Sequence, residues 1–214
     1  LETISGGNSV DTVFLHDSSC VVQITAYSSS TSVSARVVGT KHMPKSVVNQ
    51  KTSYWEEGAW SEKRGYPGVI AFHEQRLFAA ASSSDPQTLW ASRTAAFTDF
   101  QDGADDDRGL VYALASEKVD AIRWISPGKI LTVGTVSAEY AIQANNQNDA
   151  LPPSNVRVAR QTAYGSSPAQ PVRAGPSVLL PQRNGDPTND ARKLREFVYS
   201  YDVDGFVAPD LTIL

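Results

Sequence analysis

His73 and Glu74, in the stretch AFHEQRLFAA (residues 71–80), are the first pair of residues that could do chemistry. In the H-E-x-x-H motif of zinc proteases, two histidines four residues apart on one helical face hold the metal. The position four residues after His73 is Leu77, so the second ligand is absent, and the other histidines, His16 and His42, belong to different segments. We therefore interpret residues 73–75 as a turn between two strands. We expect His73 to be solvent-accessible and without metal.

The acidic run DFQDGADDDRG (residues 99–109) is the second candidate. Its carboxylates, among them Asp102 and Asp105 to Asp107, are of the kind that calcium prefers. An EF-hand loop requires acidic residues at alternate positions, a central glycine and a terminal glutamate, and this run has a different spacing. We interpret it as a solvated loop between successive structural units, and leave open whether residues 102–107 bind a cation.

Four tryptophans form the third candidate group, because exposed indole rings can stack on sugars or bases. Trp90 and Trp124 lie in the strand-like runs TLWAS and AIRWI, which favours a place in the core for both. Trp55 and Trp60 flank a predicted domain boundary, and we interpret them as packing between domains.

Two further patterns carry little chemistry. SSSDPQTLW (residues 82–90) is similar to the Asp-box turns of sialidase propellers but lacks their glycine, and those turns are structural. The sequence has no G-x-S-x-G elbow and no phosphate-binding glycine loop, and Cys20 has no nearby acid–base partner. We therefore predict no enzyme, no cofactor, and no catalytic, cofactor-binding or metal-ligating residue.

Composition restricts the class of protein. The 214 residues are 41% hydrophobic and 20% charged, which is typical of a globular protein. The net charge of −4 argues against a surface that grips nucleic-acid phosphates. One cysteine permits no internal disulfide, and no apolar run is long enough to span a membrane as a helix.

Short strand-like runs bounded by Gly, Pro, Ser, Asn and Asp predict a mostly β fold. CVVQITAY (residues 20–27) and VSARVVG (residues 33–39) predict a hairpin with a serine-rich loop of four or five residues. The polar stretch that follows leads to Trp60. We predict a small N-terminal β segment over residues 1–55 and a second domain over residues 56–214.

The second domain contains an internal repeat. The stretches at residues 68–92, 119–144 and 170–200 each read as strand, turn, strand, loop and strand. Their middle strands begin about 50 residues apart, which is near the length of a propeller blade. A three-stranded meander cannot bury its own faces, so we predict antiparallel meanders arranged as a partial β-propeller. Three units are fewer than the four or more blades of a typical propeller.

Four segments of the second domain, in order, resemble the tail nozzle proteins of short-tailed bacteriophages, also called tail tubular protein B or the tail hub or stabilisation protein. These segments are GAWSEKRGYPGVIAFHEQRLFAAA continuing to PQTLWASRTAAFTDF, then AIRWISPGKILTVGTVSAEYAI, NVRVARQTAYGSSPAQPV and DGFVAPDLTIL. The resemblance covers most of the chain from Trp60 onward, and the first 55 residues match only as a β-rich, platform-like lead-in. Family members continue past the last segment, so we expect the blades to continue beyond Leu214.

The resemblance implies a structural virion protein with a β-propeller domain, generally six copies around the tail axis. Its implied partners are the tail adaptor protein and tail fibres or spikes, and DNA is expected to pass through its bore without specific binding. It would be assembled in the bacterial cytoplasm and then reside in the virion. The alternative is a glycan-binding or glycan-cleaving propeller that acts in receptor recognition. The tryptophans and the acidic residues support this alternative.

Overall fold

The chain divides into two compact units, Leu1–Glu57 and Gly58–Leu214. The computed structural model describes residues 20–38, 42–53, 57–103, 105–115, 119–146, 150–185 and 191–213. His16, Trp55 and the rest of the predicted segment before residue 20 lie outside these residues. The prediction of a mostly β fold is confirmed, because fourteen of the fifteen helices and strands in these described residues are antiparallel strands.

The smaller unit contains the predicted hairpin. Strand β1 (Val21–Ser29) pairs with β2 (Ser32–Val38), and a short helix, α1 (Lys45–Asn49), follows. The turn has two residues, Ser30 and Thr31, where four or five were predicted. Serine was read as a loop former, but Ser29 and Ser32 extend the ladder as a cross-strand pair.

In its described residues the larger unit contains three four-stranded antiparallel sheets, each with its strands paired in chain order. The first sheet contains β3 (Val69–His73), β4 (Arg76–Ala80), β5 (Thr88–Ala91) and β6 (Leu110–Ala113). The second contains β7 (Ile122–Ser126), β8 (Leu131–Thr135), β9 (Glu139–Ala144) and β10 (Val156–Thr162). The third contains β11 (Val172–Ala174), β12 (Ser177–Pro181), β13 (Leu194–Ser200) and β14 (Gly205–Val207).

Each predicted unit therefore has one strand more than expected. The additional strands, β6, β10 and β14, lie at one edge of each sheet. They are only partly buried, so their apolar pattern is weaker than that of the inner strands.

Two apolar clusters lie on opposite faces of the second sheet. One joins side chains of the first sheet, such as Phe78 and Leu89, to Ile125 and Leu131 of the second. The other comprises Trp124, Val178, Leu180, Phe197 and Ala208, and so joins the second sheet to the third. As a result every residue of β8 is buried, whereas burial alternates along β3 and β13.

Strands of consecutive sheets are also in contact. The first strands of the first two sheets, β3 and β7, contact each other, and so do the fourth strands of the last two, β10 and β14. Each of these contacts joins strands that hold the same place in the order of their sheets.

The fit of Trp124 against the second sheet depends on a glycine. A Cβ atom added to Gly134 would lie 2.1 Å from Cε2 of Trp124, far inside van der Waals contact. Gly134 pairs with Trp124 across β7 and β8, so the indole lies directly over the glycine backbone. Glycine is thus used here for close approach, because no side chain fits under the ring.

We expect Gly134→Ala to lower the free energy of unfolding by about 1–3 kcal/mol, because the ring must shift within a packed core. Chemical denaturation followed by tryptophan fluorescence measures this change. Gly58→Ala is the matched control, since a Cβ there meets no atom within 4 Å. Equal stability of the two variants would contradict the packing described for Trp124.

Candidate functional site

The turn between β3 and β4 consists of Glu74 and Gln75, with φ values of 45° and 60°. Two successive residues with positive φ are characteristic of the type I′ turn, whose twist matches that of the strands it joins. His73 and Arg76 face each other as the last cross-strand pair before the turn. The interpretation of HEQ as a hairpin turn is thus confirmed for its last two residues, while His73 belongs to strand β3.

The prediction that His73 is solvent-accessible is wrong, since only 8% of the residue is exposed. Because the turn has only two residues, His73 keeps the alternation of β3 and lies on the same face as Ala71 and Val69, which pack against the core. Its ring lies 5.9 Å from that of Phe78.

Three charged side chains surround His73. Glu74 Oε1 lies 3.7 Å from His73 Nε2, and the other oxygen of Glu74 accepts a hydrogen bond of 2.7 Å from the backbone N–H of Leu151. Arg76 is the cross-strand neighbour of His73, and Arg173 of the third sheet acts on it electrostatically. Burial lowers the pKa of His73 below its ordinary 6.5; Glu74 opposes this shift and Arg173 adds to it.

Arg76 connects this turn to the acidic run. Its buried guanidinium donates hydrogen bonds to the backbone carbonyl oxygens of Ser92 (2.8 Å), Arg108 and Asp106. These hydrogen bonds to the main chain therefore hold the acidic segment in position. No sequence pattern indicates this role, because the interaction involves backbone carbonyl groups, which every residue carries.

Further arginines hold the acidic side chains. Arg93 forms a hydrogen-bonded ion pair with Asp107 and lies 3.5 Å from Asp99, and Arg108 lies 3.5 Å from Asp105. The hydrogen bond from Arg93 holds the pKa of Asp107 below its usual value and raises that of Arg93. Asp105 and Asp107, which were candidate cation ligands, are thus already paired with arginines.

The location predicted for the acidic run is also wrong. It was interpreted as a loop between structural units, but it connects β5 and β6 within the first sheet. The error follows from the missed strand β6: without it, the run appeared to follow the last strand of a unit.

The tryptophans are used for packing. Trp90 and Trp124 are 5% and 0% exposed, which confirms that both lie in the core. Trp60 packs edge-on against Trp90 and Phe100, with ring centroids 5.6 and 4.7 Å apart. Trp55 lies outside the described residues.

The Asp-box-like stretch is a turn that positions the second sheet. Asp85 accepts a hydrogen bond of 2.7 Å from the hydroxyl of Ser84, and its own N–H donates to the buried hydroxyl of Ser82. The side-chain oxygen of Gln87, at the end of this turn, accepts a hydrogen bond from the N–H of Asp120 just before β7. The turn is therefore structural, as predicted.

Sequence reasoning missed two buried carboxylates at the second sheet, Asp120 just before β7 and Glu139 at the start of β9. Asp120 accepts hydrogen bonds from the hydroxyl of Thr135 (2.7 Å) and the N–H of Ser137 (2.9 Å). Glu139 is completely buried and accepts from the hydroxyls of Thr162 and Ser166. Asp120 thus holds the β8–β9 turn, whereas Glu139 joins the start of β9 to the end of β10 and the segment after it.

The polar clusters described here all bind backbone groups or neighbouring side chains. Among the residues that the structure describes, no group of three or more His, Cys, Asp or Glu is arranged to hold a metal ion. In the same residues, no helix is both long and apolar enough to cross a membrane. The arrangement stabilises turns and joins sheets.

Comparison with protein-family models and with curated proteins finds no match to this chain.

We expect the stability of the protein to fall as the pH is lowered through 6.5. The folded pKa of His73 lies below 6.5, so between the two values the unfolded chain binds more protons than the folded one. The contribution of neutral His73 is therefore present above pH 6.5 and lost toward the folded pKa. Urea denaturation between pH 5 and 8 gives the slope, and His73→Gln is expected to flatten it.

The control for this measurement is Ile70→Gln, because Ile70 lies on the exposed face of the same strand as His73 and has no titratable group. It should keep the acid slope of the unchanged protein. An unaltered slope in His73→Gln would show that His73 titrates alike in the folded and unfolded chain.

Proposed function

We propose that the chain is a structural component of a short bacteriophage tail, a nozzle or hub subunit that forms part of the conduit for genome ejection. In this proposal the three sheets of the larger unit are consecutive blades of a β-propeller. The subunits form a ring of six around the tail axis in the virion, in contact with the tail adaptor and with fibres or spikes.

The observation that carries the proposal is the stacking of three four-stranded meanders in the same strand order. Propeller blades are four-stranded sheets that pack face to face around an axis. The contact of β3 with β7 suits a propeller in which the first strands lie on the inside, where neighbouring blades are closest.

The free faces of the outer two sheets give further support. Ile70 and Phe72 on the first sheet are 65% and 61% exposed, and Val172 on the third is 64% exposed. By their pairing, these residues point away from the core of their own sheets. Exposed apolar groups of this kind suit faces on which neighbouring blades pack.

The tail assignment itself rests on the four ordered segments that resemble the nozzle family. The net charge of −4 suits a conduit that lets DNA pass without binding it. The buried polar groups contribute rigidity, which a conduit requires.

A second candidate function, a glycan-binding propeller, has one observation in its favour: a concavity bordered by Tyr164 and Phe206. Against it, Trp90 and Trp124 are buried and thus have no faces free for stacking on sugars.

Electron microscopy of the full-length protein mixed with the adaptor complex tests the tail proposal. We expect closed rings of about six subunits, the number that the resemblance to the nozzle family implies. Particles that stay monomeric with the adaptor present would contradict it. A sample without the adaptor is the control, because rings in that sample would show that assembly does not depend on the partner.

A further inference from the structure

The connection between β12 and β13 contains a pair of residues with a reactive main chain. Asn184 and Gly185, in the stretch QRNGDP (residues 182–187), form the one Asn-Gly pair of the sequence, and both are exposed. The side-chain amide of an asparagine can be attacked by the main-chain nitrogen of the next residue. Glycine hinders this attack least, because it has no side chain. The Asn-Gly pair is therefore a candidate for spontaneous modification.

The surroundings of Gly185 favour this attack. Its φ is +77°, a left-handed conformation that glycine adopts without strain. A Cβ atom added there would meet no atom within 4 Å, so the space around this residue is open. Within the described parts of the chain, the N–H of Gly185 donates no hydrogen bond. The nitrogen is thus accessible and is not held by an acceptor.

The residues before the Asn-Gly pair are anchored by hydrogen bonds. The N–H of Gln182 donates a hydrogen bond of 2.8 Å to the carbonyl oxygen of Lys193, and its side-chain oxygen accepts one of 2.7 Å from Arg195. The N–H of Arg183 donates a hydrogen bond of 3.0 Å to the carbonyl oxygen of Gly165. The pair follows these contacts and lies outside β12 and β13. We therefore expect a chain that is modified at this pair to stay folded.

We propose that Asn184 is a site of spontaneous deamidation, in which water is the co-reactant and ammonia is released. The nitrogen of Gly185 forms a bond to Cγ of Asn184. The bond from Cγ to Nδ2 breaks, and Nδ2 leaves as ammonia with the proton of the Gly185 nitrogen. Water then adds to either carbonyl carbon of the resulting succinimide ring and opens it to aspartate or isoaspartate. This chemistry is independent of whether the chain is a tail protein.

Peptide mapping by mass spectrometry of the folded full chain, incubated at mildly alkaline pH, tests the proposal. The peptide that contains Asn184 should gain the mass difference between OH and NH₂, because the amide becomes a carboxyl group. Asn145 and Asn155 are internal controls, since the residues that follow them carry side chains, including the branched Val156. Their peptides should stay unmodified over the same interval. Equal modification of all three asparagines would overturn the proposal.

A second sample, unfolded in urea, shows whether the fold leaves the site open. We expect Asn184 to be modified at comparable rates in the folded and the unfolded chain, because the structure leaves the attacking nitrogen accessible. Modification in urea with an unchanged Asn184 in the folded chain would overturn the proposal, and so would an unchanged Asn184 in both samples.

Variants identify the reacting atoms. Asn184→Gln should abolish the mass change, because attack on a glutamine side chain requires a larger ring. Gly185→Ala keeps the asparagine but places a methyl group next to the attacking nitrogen, and it should delay the change. Gly175→Ala is the matched control and should leave the rate unchanged, since Gly175 also has a positive φ (59°) and open space around it. Circular dichroism shows whether each variant is folded. An undelayed mass change in folded Gly185→Ala would overturn the proposal.

The isoaspartyl product gives an independent readout. Its free α-carboxylate is the group that isoaspartate methyltransferases esterify with S-adenosylmethionine. The aged chain should therefore accept a methyl group from such an enzyme, whereas aged Asn184→Gln should accept none. Equal methylation of the two aged chains would place the isoaspartate elsewhere and contradict the proposal.

Discussion

The second sheet of the larger unit has apolar side chains on both faces that must be buried. The first and third sheets cover these two faces. Its strand β8 has the sequence LTVGT, in which every residue is buried. Leu131 and Val133 face the first sheet, while Trp124 on the neighbouring strand joins the cluster shared with the third. Burial of large side chains of this kind contributes roughly 1.5–3 kcal/mol each. The outer sheets are thus held in place mainly by packing on the apolar side chains of the second sheet.

The polar residues have a complementary role at the ends of the sheets. Turns leave backbone groups without partners in the strands, and buried groups of this kind require hydrogen bonds. Arg76 binds carbonyl oxygens of the acidic segment, and Asp120 holds the β8–β9 turn. Side chains that resemble catalytic residues in sequence are here used to fix the main chain.

The sequence allowed much of the fold to be predicted, because alternating apolar residues and turn formers are local signals. These signals predicted the hairpin at Glu74 and Gln75 and the core positions of Trp90 and Trp124. The fourth strands were missed, since β14 has only three residues and β6 follows a long acidic segment. The burial of His73 depends on a turn one residue shorter than assumed. Arg195 and Glu139 were missed because their partners are distant in sequence.

The most direct test of the central claim, that this chain is a structural part of a phage tail, is immunogold electron microscopy of the particles whose genome encodes it. An antibody raised against the purified chain should label the end of a short tail, at a stoichiometry consistent with several copies per particle. Particles that are purified intact, carry tails and bind no antibody after mild opening of the tail would contradict the claim.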